Sequence, residues 1–214
     1  MTQAQTTSSD TDRRAPRPSP ILRYASKFII WAIGWRIDPA SDEPYNYPSY
    51  VMISAPHTSN WDGFFSVVAF WAADIRVATF LKQEMLDIPV IGHFLCWVGF
   101  IGIDRARPTR SIMQVVRQMR KESLIVVIAP EGTRQKATGW KPGFYYIAQK
   151  AKVPILLSLI DYEKKVCTIS KQVVHPAGDM EAEIEGWRAE IEATTPKHPE
   201  RTSPIVFDMD ATEP

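Results

Sequence analysis

The stretch Tyr50-Val51-Met52-Ile53-Ser54-Ala55-Pro56-His57-Thr58-Ser59-Asn60-Trp61-Asp62 decides how the chain is read. Its first five residues have the length and β-branched content of a buried strand, Pro56 ends the run, and Trp61 to Trp71 reads as a helix. His57 therefore falls at the C-terminal mouth of a strand, where open α/β sheets collect their ligand sites. An imidazole there can take a proton at neutral pH if a carboxylate holds its other nitrogen and supports the imidazolium. Asp62, about one helical turn further on, is placed to fold back and do so.

Outward from this point, buried strands and helices alternate. Arg76 to Leu81 reads as a strand, and Lys82-Gln83-Glu84 opens a helical turn. Ile88 to Ile103 has no acid, lysine or arginine, and Pro89, Gly92, Gly99 and Gly102 divide it into a short helix, a turn and a strand. It serves either as core or as the lining of a slot for a fatty chain, with His93 packed inside it. Thr109 to Lys121 is a helix with Ile112, Val115, Val116 and Met119 on one face and arginines mostly facing solvent. Arg105 stands instead at a strand end, as His57 does.

Leu124 to Ala129 is a further buried strand and delivers Glu131-Gly132-Thr133-Arg134 into the loop at its end. Glycine lets backbone N–H groups turn toward a ligand, Thr133 adds a hydroxyl, and Arg134 offers a planar fork for phosphate oxygens. Gly143 to Lys152 is a helix, Val153 to Ile160 a buried strand, and Lys165 to Ile169 a strand expected antiparallel at a sheet edge. Met180, Ile184, Trp187 and Ile191 mark an amphipathic helix over Asp179 to Ala193. The expected fold is a single α/β domain with a largely parallel sheet, helices on both faces and right-handed crossovers.

Residues 1–20 lack the apolar content to pack and read as a disordered tail; their acids and the late apolar run do not fit a cleaved signal peptide. In Ile21 to Ile37, Trp31 and Trp35 stand in a run that Arg23, Lys27 and Arg36 flank. The run falls short of the ~20 apolar residues a spanning helix needs. It is read as an amphipathic helix lying in a membrane interface, with packing onto the protein's own core as the alternative. The expected organisation is thus 1–20 tail, 21–48 interfacial helix and linker, 49–194 domain, and 195–214 loosely held tail.

The net charge of +1 hides an asymmetry: residues 1–36 hold six cations against two acids, whereas from Asp179 onward ten acids face three cations. A nucleic-acid partner is not expected from this balance; basic patches beside apolar segments suit anionic lipids or phosphorylated small molecules. Cys96 and Cys167 suggest neither a disulfide framework nor a zinc site, and a reducing, cytoplasmic setting follows. Ser59 lies in no nucleophile elbow and reads as a loop hydroxyl or cap; His175 and His198 read as surface residues.

Four segments in order, His57-(four residues)-Asp62, Gly99 to Arg105, Glu131 to Arg134, and Val153-Pro154-Ile155, resemble the four blocks of the glycerolipid acyltransferase family that includes the lysophosphatidic acid acyltransferases. The likeness covers Ser49 to Asp161. It implies that His57 takes the proton of an acceptor hydroxyl attacking an acyl-CoA or acyl carrier protein thioester, and that Asp62 positions His57. It further implies that Arg105, Glu131, Gly132, Thr133 and Arg134 serve the acceptor's phosphate. Val153 and Pro154 would shape the site and acyl passage, and Lys82 resembles a lysine common after the second strand. The chain departs from the family pattern at Leu157, where a second proline often stands, and at Ala129, where an aromatic is usual. The donor is a co-substrate, and neither metal nor prosthetic group is expected. The implied activity is O-acyl transfer to a phosphorylated glycerolipid such as 1-acyl-glycerol 3-phosphate at the cytoplasmic face of a membrane. An acyl thioesterase using the same pair, or a non-catalytic lipid-binding module, are the alternatives.

Overall fold

In the computed structural model, residues 17–39, 43–103 and 108–207 are described. The elements run α1 (Pro20–Ala32), β1 (Arg36–Pro39), α2 (Glu43–Asn46), β2 (Tyr50–Ser54), α3 (Asn60–Ala72), β3 (Ala78–Lys82), α4 (Gln83–Leu86), α5 (Ile91–Val98), β4 (Phe100–Ile103), α6 (Pro108–Lys121), β5 (Ile125–Ile128), α7 (Gly143–Ala151), β6 (Ile155–Asp161), β7 (Val166–Val174) and α8 (Met180–Glu192). One seven-stranded sheet orders the strands β1-β7-β6-β2-β5-β3-β4. Five of them, β6, β2, β5, β3 and β4, run parallel. β7 turns back antiparallel to β6, and β1 lies parallel to β7 beyond it.

The two-residue period of the central strands divides the core. Val51, Ile53, Val126, Ile155, Leu157 and Leu159 pack with α6, α7 and α8, where Trp187 is fully buried. Tyr50, Met52, Ile125, Val127 and Leu156 point the other way, onto Phe70 of α3 with Ile75 and Val77. Strands buried on both faces read as continuous apolar runs, as these do. Across α3, Val68, Ala69 and Ala72 meet Ile30 of α1. Ion pairs from Arg17 and Arg23 to Asp74, each 3.5 Å, tie α1 to the far end of α3.

Several expectations change. The first helix stops at Ala32, because Gly34 adopts φ +71, and Arg36–Pro39 then forms β1 instead of extending the helix or starting a linker. That added strand moves β7 off the sheet edge. Residues 1–16 and 208–214 of the two expected tails lie outside the described residues. Within the first tail, Ser19 caps α1; within the second, Pro199–Arg201 forms a 3-10 turn, Ser203 is buried and Phe207 bridges Trp140.

The segment from Ile88 divides into helix, turn and strand as expected, with Gly99 at φ +106 and so close to the Val77 carbonyl that a Cβ would come within 2.5 Å of it. It is not all core, however: Val90 is 80% exposed, and Ile91 and Trp97 are exposed as well. His93 and Cys96 share that exposure, so His93 is not a packed histidine.

The register of β6 against β7 slips between Leu156 and Ser158, where Leu157 alone on β6 faces Ser170 to Gln172 on β7, so the extra residues belong to β7. The Leu157 side chain is nevertheless fully buried. Leu157→Ala is expected to cost roughly 2–5 kcal/mol of stability, read as a lower urea midpoint at unchanged slope.

Candidate active site

The three adjacent parallel strands β6, β2 and β5 deliver their C-terminal ends to one place: Tyr162 follows β6, His57 follows β2, and Glu131 follows β5. The core of the arrangement is the start of α3. Ser59 is the N-cap and Asp62 the third helical residue, forming a capping box in which each side chain satisfies the other's backbone end. One Asp62 oxygen, Oδ2, accepts from the backbone N–H groups of Thr58 (2.6 Å) and Ser59 (2.7 Å). It also lies 3.5 Å from His57 Nδ1. The other, Oδ1, accepts from the Tyr162 hydroxyl at 2.6 Å.

Asp62 is only 2% exposed, and burial by itself raises a carboxyl's proton affinity. The hydrogen bonds from His57, Tyr162, Ser59 and Thr58 outweigh that burial and hold Asp62 below the ordinary carboxylate range. His57 retains 18% side-chain exposure, so its edge away from Asp62 can meet a substrate. A carboxylate on Nδ1 fixes the imidazole tautomer that leaves Nε2 free to accept a proton. Contacts of this kind are often long in unliganded sites and tighten on binding, as the 3.5 Å separation allows.

Glu131 serves the same loop from the opposite side. Its Oε1 accepts from the His57 backbone N–H at 3.1 Å, and Oε2 is buried with no hydrogen-bond partner among the described residues. Burial pushes the Glu131 carboxyl up, only partly offset by backbone hydrogen bonds and by His57, and the nearby Asp62 charge adds to the rise. Glu131 is therefore a tie holding the His57 loop to β5. Gly132, at φ +65, turns the chain immediately afterwards, and a Cβ there would press on Lys141 at 3.3 Å. Thr133 Oγ1 accepts from Gln135 N–H at 3.2 Å, and Arg134 is exposed.

The remaining expected residues fall elsewhere. Val153 and Pro154 enter β6 at its N-terminal end, where the Pro154 carbonyl accepts from Val51 N–H. Because β2 and β6 are parallel, this is the end of the sheet opposite His57, so these two residues support the strand and do not line the site. Lys82 ends β3, and Arg105 lies outside the described residues.

Sequence reasoning missed Tyr162 and the segment after α8. The Thr195 carbonyl accepts from Tyr162 N–H at 2.9 Å, and His198 N–H donates to Thr58 Oγ1 at 3.2 Å. Lys197 Nζ stands 5.0 Å from the Trp61 ring centre. No short-range pattern marks these residues, because each contact spans about a hundred positions or is made by backbone.

The acyltransferase family model matches residues 42–157, more than half of the 214 residues, and the chain belongs to that family. The matched region holds His57, Asp62 and Glu131 to Arg134. Among the relatives, the 1-acyl-sn-glycerol-3-phosphate acyltransferase of Limnanthes alba is 29% identical over 60% of this chain and 46% of its own length. The protein of that name from Cocos nucifera is 30% identical over 61% and 42%, and that of Escherichia coli (strain K12) 31% over 55% and 48%. The chain thus spans about half the length of the curated relatives it matches. The solved 1-acyl-sn-glycerophosphate acyltransferase PlsC of Thermotoga maritima shares the fold, with a TM-score of 0.57 over 80% of this chain and 75% of that one at 16% identity.

Replacing Glu131 separates its tie from its charge. Glu131→Gln keeps an oxygen for His57 N–H without burying a carboxylate, whereas Glu131→Ala leaves that N–H unpaired at a cost of about 1–3 kcal/mol. A carboxyl whose folded-state proton affinity is raised stabilises the fold below its ordinary value of 4.5 and loses that contribution as pH rises through the folded-state value. The stability of Glu131→Gln relative to the parent is therefore expected to improve as pH is taken from below 4.5 upward, measured by thermal unfolding across pH.

Proposed function

We propose that the protein transfers a fatty acyl group from an acyl-CoA or acyl carrier protein thioester to the free hydroxyl of a phosphorylated glycerolipid such as 1-acyl-glycerol 3-phosphate. The observation that carries this reading is the buried Asp62 carboxylate, held ionised by four donors and set on Nδ1 of a part-exposed His57. An alcohol is a poor nucleophile at neutral pH, and a positioned base typically contributes ~10²–10⁴-fold. In the proposed step, His57 Nε2 removes the hydroxyl proton as the acceptor oxygen forms its bond to the thioester carbon. The tetrahedral intermediate then collapses, the carbon–sulfur bond breaks, and the thiolate takes the proton back from the imidazolium. Proton and charge balance within the pair, and no covalent enzyme intermediate is required because the thioester is already activated.

The acceptor assignment draws on the names of the relatives and on Arg134, which presents a guanidinium at the C-terminal end of β5, beyond the Glu131 tie to His57. A phosphate dianion suits such a fork. For this reading Lys82 and Arg105 are further phosphate contacts.

The setting is the surface of a membrane, on the side where these donors are made. Ile21, Tyr24, Phe28 and Trp31 form an exposed stripe along α1, with Phe28 and Trp31 rings 5.8 Å apart, while Ile29 and Ile30 face the protein. Among the described residues no helix is long and apolar enough to cross a membrane. A helix anchored on one face and apolar on the other lies in the interface. Trp61 and Phe64, both exposed in the first turns of α3, meet each other, and Trp61 stacks on Phe65, which stacks in turn on Trp35 just after α1.

Thiol release from a panel of acyl-CoAs and acyl carrier protein donors, with and without 1-acyl-glycerol 3-phosphate, tests the reaction. Release that requires the acceptor and falls at least ~10²-fold in His57→Ala is expected. Release indifferent to every acceptor would instead indicate hydrolysis, and none with any donor a binding module. For the membrane, a Phe28→Asp/Trp31→Asp double variant is expected to stay folded yet lose sedimentation with vesicles containing anionic lipid; undiminished sedimentation would refute the α1 contact.

A further inference from the structure

We infer that Tyr162, a residue outside all four family-like segments, is a positioning residue for the reaction, holding the Asp62 carboxylate in the orientation that serves His57. The inference rests on the acyl-transfer reading for its kinetic consequence, but its geometry stands independently.

Asp62 has two oxygens, and they are used differently. Oδ2 serves the backbone N–H groups of Thr58 and Ser59 and faces His57 Nδ1. Oδ1 points away from His57 and is held by the Tyr162 hydroxyl, 2.6 Å away. A carboxylate buried to this degree cannot leave an oxygen unpaired without cost. Deprived of Tyr162, it either takes up a proton more readily or rotates to share its remaining donors, and rotation draws Oδ2 off His57.

Tyr162 is built to hold still. It opens the turn between β6 and β7, which Asp161 closes by accepting from Lys164 N–H at 2.8 Å and Nζ at 2.9 Å. Its own N–H is bound to Thr195, and its ring is packed edge-on against Trp35 at 5.2 Å and Phe65 at 6.0 Å. Burial, then the hydrogen bond and charge of Asp62, push its phenol well above the usual range, so it remains a donor at any working pH. The other titratable groups facing the pair are His57 itself, Glu131 from the β5 loop, Lys197 at 5.9 Å from the Tyr162 ring centre, and the buried Cys167 thiol, which burial pushes up to about 12. The Ser59 hydroxyl, which accepts from Trp61 N–H, stands beside the Tyr162 oxygen, but the hydrogen bond to Oδ1 itself comes from Tyr162.

Tyr162→Phe keeps the ring and removes only the donor. Two readouts are taken together. The first needs no turnover: the side-chain carboxyl ¹³C resonance of Asp62, assigned by its loss in Asp62→Asn, is followed from pH 7 downward. In the parent it is expected to titrate below the ordinary carboxylate range, and in Tyr162→Phe its titration is expected to move to higher pH, because a hydrogen bond that favours the charged form is lost. The second is acyl transfer: kcat is expected to fall about tenfold with KM within about twofold, and the acid limb of the kcat/KM profile to move to higher pH. Loss of packing alone would lower activity without moving either titration. An Asp62 resonance unchanged by Tyr162→Phe, in a variant with the parent's thermal midpoint, overturns the inference. Should the parent itself transfer no acyl group, the acyl-transfer reading fails while the carboxyl titration still decides the role of Tyr162.

Discussion

A single buried carboxylate sets the geometry of this protein's functional end. Asp62 is at once the third residue of α3, a partner in its capping box, the acceptor for the two N–H groups that precede the helix, and the group facing His57. The spacing of four residues between His57 and Asp62 follows from that arrangement. With Ser59 as N-cap, the third helical position is the one whose side chain reaches back to the cap, and a residue two before the cap lies within range of the same carboxylate. The positive end of the helix dipole favours the ionised form there. The pair is therefore encoded in how a helix begins, and its precision comes from backbone hydrogen bonds that any chain folding this way must satisfy.

The sheet supplies the rest by topology. Parallel order places the ends of β6, β2 and β5 side by side, so that a tyrosine and a glutamate, each more than seventy residues from His57 in sequence, meet it around one loop. Glu131 fastens the loop from β5 and Tyr162 fastens the carboxylate from β6, which leaves the imidazole as the part-exposed member. The two faces of the molecule also differ. α6, α7 and α8 cover one face, their buried side inward and charged or polar residues outward, whereas α1 on the other side carries apolar groups both inward and outward. One helix stripe is spent on the core and the opposite stripe remains for something outside the protein.

Much of this was legible in the sequence because it is local. Tyr50–Ser54, the strand after Leu124 and the strand after Val153 are continuous apolar runs, and buried parallel strands have that signature whatever their partners. Ser59 reads locally as a loop hydroxyl or cap, and the His57–Asp62 pair stands out through its spacing together with its place at the head of four segments in the family's order. What escaped was set by distant partners. β1 is four residues long and becomes a strand only because Val166–Ile169 offers it a free edge. The exposure of Val90 and Trp97 cannot be told from burial in a run that is apolar throughout. Val153 and Pro154 lie in a segment whose motif resemblance is real, but strand direction carries them to the end of the sheet away from His57.

Tyr162 illustrates the same limit from the other side. In sequence it is one aromatic in a charged turn, Asp161-Tyr162-Glu163-Lys164-Lys165, and nothing in composition distinguishes it from an exposed turn residue. Its importance arises from a requirement that belongs to Asp62: a buried anion needs donors on both oxygens, and the backbone of the α3 cap can reach only one of them. Some side chain from a neighbouring strand end must supply the other, and the strand beside β2 on that side is β6. The hydroxyl donor at the end of β6 is thus a consequence of burying the carboxylate. Any chain of this fold that keeps Asp62 buried must meet the same demand at or near this position, by a tyrosine or by another donor of comparable reach.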